Sequence, residues 1–444
     1  MDRRSFIKSS ALVGTGLLVG FSFKNNSVVA GPAAMSNAWL RIEPDNTVTI
    51  LVARSEMGQD VYTTMSMLIA EELDYPLAKV KIEMAPADAK LYGNDTLGGA
   101  QITGGSTSVR DAWVKLRNVG AAAREILIAA AAQKWNVPVS QCKTSDGVVT
   151  AGSNKATYGE LAAAASSIKP SGKAVLKSAA EYKYIGKEFG RLDTPAKVNG
   201  QAQYGVDVRQ PGMLAASIAM SPVIGGKVVS FDDSAAKAVK GVVSIVQVPD
   251  GVAVLAKDYF TAKKARDLIK VVWNNGNTAN MADMATIRKS LIAASKKTGA
   301  IIAGTGDVGN PLAEATTKVT AHYELPFVAH ATLEPVNCSA SIANGECHVW
   351  GPIQFQQGAQ GAAAQASGLA PEKVFIHTTF IGGGYGRKLE NDFVAQVVSI
   401  AKASGKPVRM IWSREDDMTH DFYRPISYTQ MAGGLDANGN LIGL

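Results

Sequence analysis

Apolar and polar positions follow two periods along this chain. Val48-Thr49-Ile50-Leu51-Val52-Ala53 is β-branched and apolar and predicts a strand, while Tyr62 to Leu73 sets Met65, Leu68 and Ile69 on one helical face. A longer helix is predicted where Val109, Trp113, Leu116, Gly120, Ala123, Leu127, Ala131 and Trp135 recur at steps of three and four as one buried stripe. Asn136-Val137-Pro138 ends it. Residues 140–190 alternate short strands and polar turns, with Ala- and Ser-rich pieces that read as a linker passing over the surface. Strands at Leu214 to Ala219, Val242 to Val248 and Val252 to Ala256, a helix at Phe260 to Ile269 and a strand at Lys270 to Trp273 predict a compact α+β module. After a variable stretch at 274–318, strands near Val319 to Tyr323 and Cys347 to Trp350 open a third unit. Tyr428 to Leu435 reads as a strand, Asp436-Ala437-Asn438-Gly439 as a hairpin turn, and Leu441 to Leu444 as a return strand that has hardly begun. A half-paired hairpin carries the expectation that this chain is a shortened form of a longer one.

Composition narrows the class. At about 150 residues per domain, 444 residues allow two to four domains, and 46% hydrophobic against 19% charged excludes disorder. Forty-three Gly without a strict period point to many turns and loops. Cys142, Cys338 and Cys347 are scattered with no C-x-x-C, which excludes a disulfide scaffold, a zinc finger and a cysteine-ligated iron–sulfur cluster in this chain. Of the formal charge of +7, Asp2, Arg3, Arg4, Lys8 and Lys24 supply +3. The remaining body has no run of like charge, so neither a nucleic-acid tail nor a polybasic membrane patch is indicated.

Residues 1–30 read as a targeting segment to be left out of the fold: Asp2 to Lys8, an apolar stretch from Ala11 to Phe23, then small residues around Val28-Val29-Ala30. Arg3-Arg4-Ser5-Phe6-Ile7-Lys8 resembles the twin-arginine export signal, and the apolar core is short for a bilayer span. An uncleaved N-terminal anchor is the alternative. Twin-arginine export carries folded proteins, typically with a cofactor already inserted.

Three places share one arrangement of strand or turn, glycine loop and helix. The first is Ser55-Glu56-Met57-Gly58-Gln59-Asp60, and the second is Thr103-Gly104-Gly105-Ser106-Thr107-Ser108, where Ser108 is a candidate cap with Asp111 as its capping-box partner. The third is Ile381-Gly382-Gly383-Gly384-Tyr385-Gly386-Arg387-Lys388, ahead of a helix carrying Phe393, Val394, Val397, Val398 and Ala401. Backbone amides at a helix N-terminus, approached closely where Cβ is absent, make an anion site, and Arg387 could add a bidentate contact to phosphate. Each loop alone reads as a tight turn. The third lacks the Lys-Ser/Thr of a Walker loop, and Leu389 stands where G-x-G-x-x-G needs Gly, so both common nucleotide fingerprints fail. Three such loops fit a large phosphorylated or pterin-like ligand better than a mononucleotide.

Two other chemistries are disfavoured. His330 and Glu334 with His322 would make a weak metal set, because Pro335 breaks the helix their spacing needs. Gly104-Gly105-Ser106-Thr107-Ser108 is not the G-x-S-x-G of a serine hydrolase.

Taken together, Glu56-Met57-Gly58-Gln59, Gly104 to Ser108, Arg191-Leu192-Asp193 through Lys197, Gly200 and Tyr204, Glu334-Pro335-Val336-Asn337-Cys338, Gln354 and Gly382 to Arg387 resemble the molybdopterin-binding large subunit of the xanthine dehydrogenase family. The motif order is most similar to the isoquinoline 1-oxidoreductase β-subunit branch. The resemblance implies an α+β fold: an export signal at 1–30, a relocated part of a molybdopterin-binding domain at 36–140, a linker at 141–189, an α/β hammerhead domain at 190–274 and an incomplete first molybdopterin-binding domain at 319–444. It implies a molybdenum hydroxylase acting on an aldehyde or N-heterocycle, with water as the oxygen source. Its cofactor would be molybdopterin in a dinucleotide form with molybdenum, and a small 2Fe-2S subunit would take the electrons, with a cytochrome c as further acceptor. The place implied is the periplasm, against the inner membrane. A chain that binds cofactor or partner without turnover, and a periplasmic solute-binding protein, are the alternatives.

By motif match, Gln354 would lie beside the molybdenum oxo group. Gly383, Gly384, Tyr385 and Gly386 would line the metal's substrate side with Arg387 nearby, and Gly58, Gln59, Gly104, Gly105, Ser106, Thr107 and Ser108 would contact the pterin and its phosphates. The family's catalytic glutamate lies near the C-terminus of a longer subunit and is expected beyond Leu444. Tyr385 replaces the usual Phe, and Leu389 stands where some relatives carry Glu.

Overall fold

A computed structural model describes residues 17–22, 27–30, 38–171, 174–276, 283–306 and 309–444. The chain divides into two compact units, one built from residues up to 219 with 233–269 and 332–413, the other from 220–232, 270–331 and 414–444.

The first unit holds two large sheets. In the five-stranded sheet the order is Ser27–Ala30, Leu17–Ser22, Ala38–Ile42, Val48–Val52, Lys81–Met84, antiparallel except for the last pair. Helices Val61–Leu73 and Ser108–Trp135 pack beside each other, and they approach closely at Gly120, where a Cβ would stand 2.4 Å from the Ile69 carbonyl oxygen. Met65, Leu68 and Ile69 are buried as their spacing requires, with Leu116, Ala123, Leu127 and Ala131 opposite them. The predicted stripe fails at its ends: Trp113 is exposed, and Arg117 lies over its ring. The long helix begins at Ser108 with Thr107 as N-cap, and no side chain caps it.

Residues 17–22 and 27–30 depart from the expectation that the first thirty residues stand outside the fold. Leu17 and Val19 are fully buried, and Leu17 to Gly20 pair with Ala38–Ile42, so this apolar run completes a core sheet here. Residues 1–16 of the proposed signal lie outside the described residues. Part of the segment that reads as a surface linker, up to Ala165, also joins the core, while the described residues from 166 to 189 are exposed or half-buried. Lys143–Ser145, Val148–Ala151 and Asn154–Thr157 form a meander, and Thr157 and Glu160 close a capping box on helix Tyr158–Ala165. That helix buries Tyr158, Leu161, Ala162 and Ala165, apolar positions that polar neighbours mask in the sequence.

The seven-stranded sheet runs Val242–Val248, Gly251–Ala256, Leu214–Met220, Val408–Ile411, Asn337–Ala343, Glu346–Gly351, Val374–Thr378. Helices Gln356–Ser367 and Asp392–Ser404 belong to the same layer system, with Phe393, Val397 and Val398 buried. The predicted 190–274 module is therefore not a separate body. Its strand Leu214–Met220 pairs in parallel with Val408–Ile411, which removes a bare sheet edge. Its remaining strands, Lys227–Asp232 and Lys270–Asn274, pair as a ribbon in the second unit. The predicted 319–444 domain is likewise divided between the units.

The second unit also contains the sheet Thr317–Leu325, Ser427–Leu435, Leu441–Gly443 and helix Met284–Ser295. The predicted Asp436 to Gly439 turn is formed, its Asp436 carboxylate accepting from the Asn438 and Asn440 amides. Among the described residues, no helix is long and apolar enough to cross a membrane.

Candidate cofactor site

The three glycine loops meet in the first unit. Ser55 follows the buried strand Val48–Val52 and donates from its hydroxyl to the Ile353 carbonyl at 2.6 Å, while its amide donates to Thr103 Oγ1 at 2.9 Å. The Thr103 amide donates to the Gln354 carbonyl at 2.8 Å, and Ile381 N–H to the Glu56 carbonyl at 3.0 Å. These rungs bring residues 55–60, 103–108 and 381–388 around Gln354, although up to 333 positions separate them in the sequence.

Gln354 is 3% exposed. Its Nε2 donates to the Thr103 carbonyl at 3.0 Å and its amide to the Lys388 carbonyl at 2.9 Å, yet its Oε1 is buried without a partner. That oxygen faces Gly384, where an added Cβ would come within 2.5 Å of it and within 3.0 Å of Met57 Sδ. A buried unpartnered amide oxygen is costly, which marks this side of Gln354 as waiting for a hydrogen-bond donor.

The other predicted residues divide into those that face open space and those already engaged. Gly58 has φ +107°, and a Cβ added there would meet no atom within 4 Å; at Gly104 the nearest atom would be Leu389 Cδ1 at 3.9 Å. Gly105 and Ser106 have positive φ, so the second loop turns sharply into the long helix. Thr107 spends its hydroxyl on the Gly104 carbonyl at 2.8 Å and accepts from Asn94 Nδ2 at 2.7 Å. The predicted Ser108–Asp111 capping box is absent, because Asp111 pairs with Arg54 at 2.9 Å and with Lys115 at 2.8 Å, leaving the N-terminus of a 28-residue helix uncapped by any side chain. Gln59 is folded onto its own loop: its Oε1 accepts from the Met57 amide at 2.7 Å and its Nε2 donates to the Ser55 carbonyl at 2.9 Å. Arg387 departs from the expectation of a phosphate contact. Its guanidinium is 1% exposed and holds Asp392 through two bonds at 2.9 and 2.8 Å, over the ring of Trp412. Gly383, Tyr385 and Gly386 all have positive φ, and Tyr385 is 76% exposed.

Buried ions shape the loops. Glu56 accepts from the Gly58 amide at 2.8 Å and the Asp60 and Tyr62 amides at 3.3 Å, and is paired with Arg191 at 3.1 Å and Lys197 at 3.4 Å. Asp193 binds the same two cations, and although burial opposes it they hold its carboxyl below the usual range. Arg54 is fully buried beneath the second loop, donating to the carbonyls of Tyr92 and Gly93; burial lowers its pKa against the pull of Asp111. Arg54 does not stand out in the sequence, and Thr103 and Lys388 appear there only as the ends of their loops. A charged residue just after a fully buried strand is the one available signal for Arg54.

The weak metal set does not assemble. His330 Nδ1 pairs with Asp421 at 3.0 Å, Glu334 binds Asn337 and Gly382, and no cluster of three or more His, Cys, Asp or Glu side chains exists among the described residues.

These features suit a ligand that carries hydrogen-bond donors and an anionic group. Gln354 Oε1 supplies an acceptor, Gly58 and Gly104 leave open cradle, and the uncapped helix start offers amides and a positive dipole end. Molybdopterin cofactor-binding domain models match residues 3–209 and 293–444. The chain belongs to the molybdopterin-binding subunits of the xanthine dehydrogenase family. Among relatives it is 32% identical to isoquinoline 1-oxidoreductase subunit beta of Brevundimonas diminuta, over 96% of this chain and 61% of that protein. It is 31% identical to the membrane-bound aldehyde dehydrogenase (pyrroloquinoline-quinone) of Gluconacetobacter polyoxogenes, over 99% and 59%. The chain thus spans about three-fifths of the length of these two relatives. The aldehyde oxidoreductase of Desulfovibrio gigas superposes with a TM-score of 0.46 at 16% identity, over 87% of this chain and 44% of that one.

Proposed function

We propose that this chain is the cofactor-holding part of a molybdenum hydroxylase that oxidises an aldehyde or N-heterocycle and passes electrons to a separate small 2Fe-2S subunit. The observation that carries the reading is the unpartnered Gln354 Oε1 at the meeting point of three glycine loops. Bound molybdopterin supplies the redox metal and the path by which electrons leave the substrate. Gln354, expected beside the molybdenum oxo group, would offer its free Oε1 to a donor of the bound cofactor, the start of the long helix would receive phosphate, and Arg191 and Lys197 fix the first loop through Glu56. The carboxylates of Glu56 and Glu334 are engaged by amides and side-chain donors of the protein itself. The export signal at Arg3-Arg4 supports a periplasmic location beside the inner membrane, with a cytochrome c as acceptor.

The test is expression of the chain in a molybdopterin-producing bacterium with its small subunit, followed by molybdenum and pterin analysis and aldehyde-dependent dye reduction. Stoichiometric pterin and molybdenum are expected, and turnover would establish the hydroxylase. Bound pterin without turnover favours a cofactor-holding protein that is not itself catalytic, and bound quinone in place of pterin refutes the reading. Arg3-Arg4 replaced by Lys-Lys should leave the protein in the cytoplasm.

A further inference from the structure

The loop from Gly382 to Lys388 holds three residues in left-handed backbone, Gly383 at φ +97°, Tyr385 at +52° and Gly386 at +108°. For Tyr385 this conformation is unfavourable, and its ring is mostly exposed, so packing of its own side chain does not compensate. The compensation comes from Glu334, which is 9% exposed. Its Oε2 accepts from the Gly382 amide at 2.8 Å, and its own amide donates to the Gly382 carbonyl at 2.9 Å. Its carbonyl receives Lys388 Nζ at 3.2 Å from the far end of the same loop. Its Oε1 is occupied by Asn337 Nδ2 at 2.9 Å, which fixes the carboxylate plane. The fit is close: a Cβ on Gly382 would stand 2.5 Å from Glu334 Cβ. One buried residue thus fastens both ends of the loop that presents Gly384 to Gln354.

We propose that Glu334 is the positioning residue that sets the Gly382 to Lys388 loop in its ligand-receiving shape, a role that rests on the cofactor reading of this site. It acts through the loop, because both its carboxylate oxygens are engaged within the protein. Glu334→Ala removes both carboxylate contacts and leaves the backbone bonds to Gly382 and Lys388 in place. Glu334→Gln keeps an oxygen for the Gly382 amide but sets its NH2 against Asn337 Nδ2, which also donates to the Pro335 carbonyl at 2.9 Å, so it restores the loop contact and not the Asn337 one.

The experiment compares the full chain with the E334A and E334Q variants by hydrogen exchange of the cofactor-free proteins. Binding of molybdopterin released from a donor molybdenum enzyme is then read by fluorescence of the oxidised pterin. In E334A, exchange at residues 382–388 should quicken by roughly ten- to a hundredfold, as loss of a charge-assisted bond predicts. Exchange in strand Val48–Val52 should not change, and pterin affinity should fall by a similar factor. E334Q should recover part of both, through the Gly382 bond. Unchanged loop exchange in E334A, or E334Q behaving like E334A, overturns the assignment. If the unaltered chain takes up no pterin, the cofactor reading fails, and the exchange measurement alone decides the latch.

Discussion

Gly104→Ala separates what the protein needs from what a ligand needs. Gly104 does not have a positive φ, and a Cβ built there meets only Leu389 Cδ1 at 3.9 Å, an ordinary van der Waals contact. The folded protein alone gives no reason for glycine at this position. Replacement by Ala reduces the freedom of the unfolded chain and should stabilise by about 0.4–1 kcal/mol, leaving the thermal midpoint unchanged or a degree or two higher. A ligand lying against the Gly104 backbone would instead meet a methyl group in a packed contact. Overpacking of that kind costs about 1–3 kcal/mol, which corresponds to roughly ten- to a hundredfold weaker binding. The assay pairs thermal unfolding of the cofactor-free chain with pterin content of protein purified from a molybdopterin-producing host. Wild-type pterin content in Gly104→Ala would refute the placement of the cofactor against this loop. A lowered midpoint would refute the claim that the cradle is empty of protein.

Gly384→Ala should behave differently, because its Cβ would press Gln354 Oε1 and Met57 Sδ, both ends of flexible side chains. A destabilisation of about 1 kcal/mol is expected with loss of pterin binding, and a fully loaded variant in a binding titration would remove Gln354 from the site. A second expectation concerns acid. Burial raises the Glu71 carboxyl, but the Lys183, Tyr184 and Ile185 amides and the Lys177 ammonium outweigh it and hold its pKa below the ordinary 4.5. Its ionised form therefore stabilises the segment around 177–185 above about pH 4.5, and that contribution disappears as pH falls through the lower folded value. Limited proteolysis should show this segment opening as pH is taken well below 4.5 in the native chain, with Glu71→Gln open already at pH 7; equal resistance of the two proteins at neutral and acid pH would refute the assignment.

Local period and local chemistry determined a good deal. The strand at Val48, the helix carrying Met65, Leu68 and Ile69, the core of the long helix and the Asp436 to Gly439 turn all follow from side-chain spacing and turn residues, which act over a few positions. The three loops are visible as glycine runs, and the family as the combination of short motifs. The pairing of strands and the use of each polar group were decided only in three dimensions. Leu214–Met220 joins Val408–Ile411 across nearly two hundred residues because a buried sheet edge must be paired, and no local pattern names the partner. Arg387 reads as a phosphate ligand from its place beside glycines, whereas the fold sets Asp392 against it. Gln59 and Ser108 likewise read as a ligand and a cap, but the first closes its own loop and the second loses its partner to Arg54 and Lys115. Residue identity and order alone determined which side chains could form a site, and the tertiary structure decided which of their atoms remain free for a ligand: hydrogen-bonding capacity is finite, and neighbours brought close by the fold consume it first.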